Sequence, residues 1–223
     1  MKAVVIRQHG GPEVLRVEDV DRPIPAAGEV LVRVRAVALN HLDLWVRRGI
    51  PGAPFHLPMT TGADVSGEIA ELGEGVDDID VGTPVMVLPG ASCGACKRCL
   101  AEQDHLCSHY GILGETRPGG QAEYLAVPRE NVVRKPERLS FEEAAALSLT
   151  FLTAWHMLVG RAELKEGETV LVQAAGSGVG SAGIQIAKYF GSTVITTAGS
   201  SEKLEAAKAL GADYTINYRE ENV

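Results

Sequence analysis

Four cysteines fall within fifteen residues, as Cys93-Gly94-Ala95-Cys96-Lys97-Arg98-Cys99 followed seven residues later by Cys107, and the chain has no others. A disulfide framework would spread its cysteines to staple distant segments. Four thiolates packed this tightly suit Zn²⁺ instead, which takes four soft ligands at tetrahedral corners about 2.3 Å away and orders a loop that has little core of its own. With all four corners filled by Cys, no position is left for water, so the expected role is structural. The plainer alternative is a reactive or disulfide-forming cluster.

Around this lobe the chain reads as two regions. The first is β-rich. Val30, Val32 and Val34 alternate with Leu31, Arg33 and Arg35 across Glu29–Val37, the period of a half-buried strand. Val65–Leu72, Pro84–Leu88 and Ala122–Val127 are further strands bounded by Gly, Pro or Asp, and Met1–Arg7 reads as an edge strand. Short strands at this spacing suggest a small, irregular barrel. Near Ser140 the character changes. Ser140 and Glu143 form a capping box, and an apolar helical run Ala144–Val159 follows. Strands at Thr169–Ala174, Val194–Thr197 and Tyr214–Asn217 then alternate with helices at Ser177–Phe190 and Ser201–Leu210. That is half of a doubly wound parallel sheet. The boundary falls at residues 149/150, giving a β-rich domain over 1–149 and the first half of a dinucleotide-binding domain over 150–223. Three strands without a second half leave a sheet flank unpaired, so the expectation is a truncated chain with no significant activity of its own.

The net charge is −8 and no Lys/Arg-rich run occurs, which excludes the electrostatic footprint of a nucleic-acid binder. No apolar stretch approaches a membrane span and the start lacks a secretory signal, so a cytoplasmic location is expected.

Ala174-Ala175-Gly176-Ser177-Gly178-Val179-Gly180 follows a strand and opens a helix. Small residues there let the backbone approach a pyrophosphate, and the helix start offers free N–H groups. Residues Ala175, Gly176, Ser177, Gly178, Val179 and Gly180 are therefore the candidate phosphate cradle. About 20 residues on, where NAD enzymes place an acid for the ribose 2′-hydroxyl, the chain reads Thr197-Ala198-Gly199-Ser200-Ser201. Nothing there repels a 2′-phosphate, and Ser200, Ser201 and Lys203 are able to bind one. NADPH is the favoured cofactor, with NADH as the alternative. The plainer role for Ser200 or Ser201 is to cap the second helix.

The Cys spacing resembles the structural zinc lobe of the zinc alcohol dehydrogenases, within the medium-chain dehydrogenase/reductase superfamily. The resemblance runs through Gly10–Leu15, Asn40–Asp43, Gly62–Gly67, Leu149–Leu158 and the glycine turn, and so covers the whole chain. It implies a GroES-like domain followed by a Rossmann domain, one structural zinc, and a homo-oligomer (dimer or tetramer) when complete. It places three key positions of the glycine turn on Ala175, Ser177 and Gly180, so only the last keeps Gly. It also assigns Thr153 to the cofactor, and His41 to the neighbourhood of the pyrophosphate.

The same resemblance speaks against a catalytic zinc. The family's Cys, His and Cys ligands fall on Asn40, Ala63 and close to Leu149, the adjoining Glu on Asp64, and the proton-relay hydroxyl on Leu42. One carboxylate does not make a site of three protein ligands plus water. What matches is the zinc-free quinone oxidoreductase and zeta-crystallin group, at Asn40-x-x-Asp43 and at Leu149–Trp155. Asn40, Asp43 and Asp64 are thus the catalytic candidates, with Asn40 polarising a carbonyl oxygen in place of zinc. The competing reading has Asn40 and Asp43 merely holding a turn.

The expected function is hydride transfer from NAD(P)H to a quinone, enone or other carbonyl without a catalytic zinc. The alternatives are a zinc-dependent alcohol dehydrogenase with altered ligands and a nucleotide-binding protein without enzymatic activity.

Overall fold

The computed structural model describes residues 1–52 and 55–221, which cluster into two compact units, Met1–Leu149 and Thr150–Val223. In chain order the first unit contains β1 (Lys2–Ile6), β2 (Arg16–Asp19), β3 (Glu29–Ala38), α1 (His41–Arg48), β4 (Met59–Thr60), β5 (Asp64–Leu72), β6 (Pro84–Val87), β7 (Gly90–Ala91), α2 (Lys97–Leu100), β8 (Gly111–Ile112), β9 (Tyr124–Pro128), β10 (Val132–Arg134) and α3 (Phe141–Ala145). Its strands form an antiparallel five-stranded sheet in the order β10-β6-β5-β3-β9, a three-stranded sheet β2-β1-β4 and the small pair β7-β8. Val30, Val32, Val65, Ile69, Val85, Val87, Leu125 and Val127 fill the core against the larger sheet. Each such fully buried side chain contributes about 1.5–3 kcal/mol.

Two features depart from the pattern in the sequence. First, β1 is not an edge strand. It pairs antiparallel with β2 on one side and with β4 on the other, and the two-residue β4 carries too little periodicity to announce itself. Second, Leu31 is as fully buried as its neighbours Val30 and Val32. The β3–β5 register shifts between Leu31 and Val32 and again between Val34 and Ala36. Such irregularities bend a strand and break strict alternation.

Beyond the second shift, Val37 pairs with Val65 and Ala38 with Asp64. This register sets Asn40, just past the end of β3, beside the first residue of β5.

The apolar run after Ser140 is not one helix. Ser140 caps α3 as its sequence suggests, accepting from Glu143 N at 3.1 Å while Glu143 Oε2 accepts from Ser140 N at 2.8 Å. The helix stops at Ala145, a second one, α4 (Ser148–Trp155), begins three residues later, and a wide π-type turn covers His156–Arg161. The break creates a fresh helix start, with N–H groups that lack intrahelical acceptors.

The second unit continues with β11 (Thr169–Val172), α5 (Gly178–Tyr189), β12 (Thr193–Ala198), α6 (Ser201–Ala209) and β13 (Tyr214–Asn217), and the strands make a parallel sheet in the order β11-β12-β13. Ile184 and Ala187 of α5 pack with Val194 and Ala198 of β12 and with Leu204 and Ala207 of α6. Among the described residues no helix is long and apolar enough to cross a membrane.

Candidate functional site

The first unit holds two polar clusters of opposite character. In the lobe, Cys96 and Cys99 flank the start and middle of the one-turn α2, and Cys93 and Cys107 bring in the loops before and after it. The four Sγ atoms all lie within 4.8 Å of one another. Cys96–Cys99 and Cys93–Cys107 are 3.5 Å apart and Cys93–Cys99 3.9 Å. Zn–S bonds of about 2.3 Å give a tetrahedron with edges of about 3.8 Å, so the residues present fit the ion. Among the described residues this is the one group of three or more His, Cys, Asp or Glu donors close enough to share a metal. Backbone N–H groups of Ala95 and Cys96, and then the Cys107 thiol, draw the Cys93 thiol down to about 6. Cys99 is also lowered, chiefly by the Ser92 hydroxyl. Both shifts favour thiolate, the ligating form, at Cys93 and Cys99, whereas Cys107 is shifted upward.

The second cluster is buried and closed. Asp43 accepts from Asn40 N at 2.7 Å and from Gly62 N at 2.9 Å, which ties the start of α1 to the loop before β5. Asp64, only 1% exposed, accepts from Asn40 Nδ2 at 2.9 Å through Oδ2 and from Leu149 N at 2.6 Å through Oδ1. The Leu149 donor exists because the helix breaks just before it. Burial pushes the Asp64 carboxyl up, the Asn40 and Leu149 N–H groups hold it down, and the Asp43 charge adds to the upward push. Burial likewise raises Asp43 against its backbone donors.

Asn40 is half-buried at the entrance to α1. One of its two Nδ2 hydrogens goes to Asp64, which leaves the other to be shared. His41, beside it, is exposed, with its ring 6.2 Å from that of Trp45. Ala63, fully buried, offers no donor, and Leu149 contributes only its backbone N–H. The positions that the sequence resemblance matched to a catalytic zinc thus offer an amide, a methyl group, a leucine and a carboxylate whose two oxygens are both engaged. That set does not fit the ion.

In the second unit Ser177 caps α5, accepting from Gly180 N at 2.9 Å. Gly178 and Val179 N–H at the helix start have no acceptor among the described residues, which is the arrangement that receives an anion. Ala175, buried, donates to Thr197 O at 3.0 Å and fixes the turn against the end of β12. Ala174 takes a left-handed conformation (φ 58°) to make the corner. Glycine is required at position 180, where a Cβ would run into Ala174 O; a Cβ at Gly178 would lie 2.8 Å from Thr150 Cγ2 and one at Gly176 2.7 Å from Lys203 Cδ, side chains that would have to shift. The Lys203 stem therefore lies across the glycine turn. Thr153 is half-buried on α4.

At the end of β12, Ser200 stands at the N-cap of α6 but makes no side-chain cap bond. The pairing of Ala198 with Asn217 brings the segment after β13 alongside. A Cβ on Gly199 would meet Tyr218 Oη at 2.6 Å and Arg219 Nε at 3.0 Å. Tyr218 and Arg219 thus lie beside the candidate cofactor segment, where the sequence alone did not place them. Their signal was position alone, directly after the third strand of a parallel sheet. Glu221 nearby spends Oε1 on Asn217 N at 2.9 Å.

Residues 26–137 match the alcohol dehydrogenase GroES-like domain and residues 178–223 match the zinc-binding dehydrogenase family. The β domain with its cysteine lobe and the strand–glycine turn–helix unit define the class, and the chain belongs to the medium-chain dehydrogenase/reductase superfamily. Its relatives within that superfamily include alcohol dehydrogenases and quinone oxidoreductases. It is 38% identical to an alcohol dehydrogenase of Geobacillus stearothermophilus over 97% of this chain and 64% of that one. It is 33% identical to the quinone oxidoreductase of Homo sapiens over 100% of this chain and 60% of the relative. A solved NAD-dependent alcohol dehydrogenase superimposes with a TM-score of 0.94 at 56% identity, covering 98% of this chain and 64% of that structure. The chain thus spans a little under two thirds of the length of these relatives.

Proposed function

We propose that this protein transfers hydride from NADPH to a quinone, an enone or another carbonyl, with no catalytic zinc and with one structural zinc in the cysteine lobe. The observation that carries the reading is the closed hydrogen-bond cluster at Asn40, Asp43 and Asp64, where a catalytic metal would need free donors. The bound nicotinamide supplies the hydride; the chain supplies binding, orientation and a polar group for the developing charge. Asn40 Nδ2, held by Asp64 through one hydrogen, keeps a second N–H for the substrate oxygen, the kind of preorganised donor that stabilises an oxyanion. The reduced oxygen takes its proton from solvent.

Gly178 and Val179 N–H at the start of α5 would hold the pyrophosphate. Lys203, Arg219 and the hydroxyls of Ser200, Ser201 and Tyr218 would hold a 2′-phosphate. That set supports NADPH over NADH, since charge-assisted bonds to phosphate are the strong ones. Asp43, with both oxygens on backbone N–H groups, would act by positioning the α1 entrance. Four thiols reserved for a metal suit the reducing conditions of a cytoplasmic protein.

The full-length protein is assayed for quinone-dependent NADPH oxidation and for alcohol-dependent reduction of NAD and NADP. Quinone reduction that falls about 100-fold in kcat for Asn40→Ala, with cofactor affinity kept, is the expected result. Alcohol oxidation that depends on a second zinc would replace this reading with the alcohol dehydrogenase one, which the names of several relatives favour.

A further inference from the structure

An asparagine amide has two faces of nearly equal shape. Turned by 180° about its last torsion, it exchanges Oδ1 and Nδ2, a donor for an acceptor. A catalytic donor with that freedom would spend part of its time offering oxygen to the substrate oxygen, a repulsive contact. Something must hold it one way round.

The structure supplies the holder. Asp64 begins β5 opposite Ala38 and is almost completely enclosed. Its Oδ1 accepts the Leu149 N–H at the start of α4, and its Oδ2 faces Asn40 Nδ2 at 2.9 Å. Both Asp64 oxygens accept from N–H groups, the pattern of a group that acts here as acceptor only; burial pushes this carboxyl up, and the Asn40 and Leu149 N–H groups oppose that push. Asn40 Oδ1 turned toward Asp64 would set oxygen against oxygen in a buried space, which is costly without a proton between them. Asn40 N is meanwhile held by Asp43 Oδ2 at 2.7 Å, so the backbone of the residue is pinned as well.

We infer that Asp64 is a positioning residue that locks the Asn40 amide in its donating orientation, fixing which atom the site offers to a carbonyl oxygen. The inference rests on the proposed reductase reading for its catalytic consequence, but the lock itself is a property of the chain. Asp64→Asn is the discriminating variant. It preserves size and still accepts from Leu149 N through Oδ1, which leaves its Nδ2 facing Asn40, a donor that pairs with Asn40 Oδ1 and so favours the reversed orientation.

The experiment has two arms on the same full-length proteins. The first follows hydrogen exchange of the two Asn40 Nδ2 protons by NMR. In the parent protein one is protected and the other exchanges freely; in Asp64→Asn the protection is lost while the backbone amides of β3 and β5 stay protected. The second arm measures NADPH-dependent quinone reduction. Asp64→Asn lowers kcat about 10-fold with KM for the quinone within about 2-fold, and Asn40→Ala/Asp64→Asn is no slower than Asn40→Ala, because residues that act as a unit are not additive. A protected proton that survives in Asp64→Asn, or kinetic losses that add in full, overturns the lock. Protection lost on cue in a protein that reduces no quinone sustains the lock and removes the proposed reaction. Should Asp64→Asn fail to fold, two equally fast Nδ2 protons in the parent protein overturn the lock, and one slow proton sustains it.

Discussion

The cysteine lobe and the Asn40–Asp43–Asp64 cluster belong to the same unit and are both dense in polar groups, yet they solve opposite problems. The lobe's cysteines range from exposed Cys93 to buried Cys107, and it brings four sulfur atoms within 4.8 Å of one another. The Asn40 cluster is buried and meets its own demand, each carboxylate oxygen having an N–H from the chain. A group of donors that converge on empty space is arranged for something from outside. A group that converges on itself has no place for an ion and is arranged to hold a geometry.

If that contrast is right, damage to the lobe costs a ligand and damage to the cluster costs stability or rate. The largest effect is expected from chelation or Cys96→Ser. A structural zinc carries about 10–16 kcal/mol of apparent binding energy in small domains, so the lobe should lose protease resistance while the parallel sheet keeps its circular dichroism. A lobe that stays ordered without metal would break the contrast. Next comes Asn40→Ala, with a loss of about 100-fold in kcat and retained zinc.

Lys203→Ala and Arg219→Ala should each raise KM for NADPH by about 10-fold or more, the worth of a charged hydrogen bond, and leave NADH nearly untouched. Equal losses for the two cofactors would show that these residues serve the turn and not a 2′-phosphate. Gly180→Ala, which drives a methyl group against Ala174 O, should cost about 1–3 kcal/mol by urea denaturation.

The smallest effect is in pH dependence. The folded carboxyl of Asp43 is raised above its unfolded value by burial, so the folded state binds the proton more tightly. Its contribution is fully present below the unfolded value of about 3.9 and is lost as pH rises through the folded one. The stability difference between the parent protein and Asp43→Asn should therefore shrink with rising pH from about 4 upward; a difference that grows would contradict the burial assigned to it.

The two clusters also differ in how they can be read from the chain. The lobe is local: its ligands lie within fifteen residues, and thiolate chemistry at that spacing has few other uses. The strand–glycine turn–helix and the Ser140 capping box were legible for the same reason, since strand period, cap and turn act over a few residues. The Asn40 cluster was legible only as a set of polar residues. Whether Asp43 meets a substrate or a backbone depends on Gly62, 19 positions away, and the partner of Asp64 at Leu149 is 85 positions away. That last bond exists through a helix break that an unbroken apolar run concealed. Tyr218 and Arg219 were invisible because parallel pairing, not sequence proximity, brings them to Gly199. The central place of β1 was hidden by the brevity of β4.

Zinc per chain, by elemental analysis of the purified protein and of Cys96→Ser, tests the contrast most directly. The account predicts about one zinc in the parent protein and essentially none in the variant. Two zincs, with one surviving the substitution, would mean that Asp64 and its neighbours hold a metal after all. The closed cluster at Asn40 would then be a site awaiting its ion.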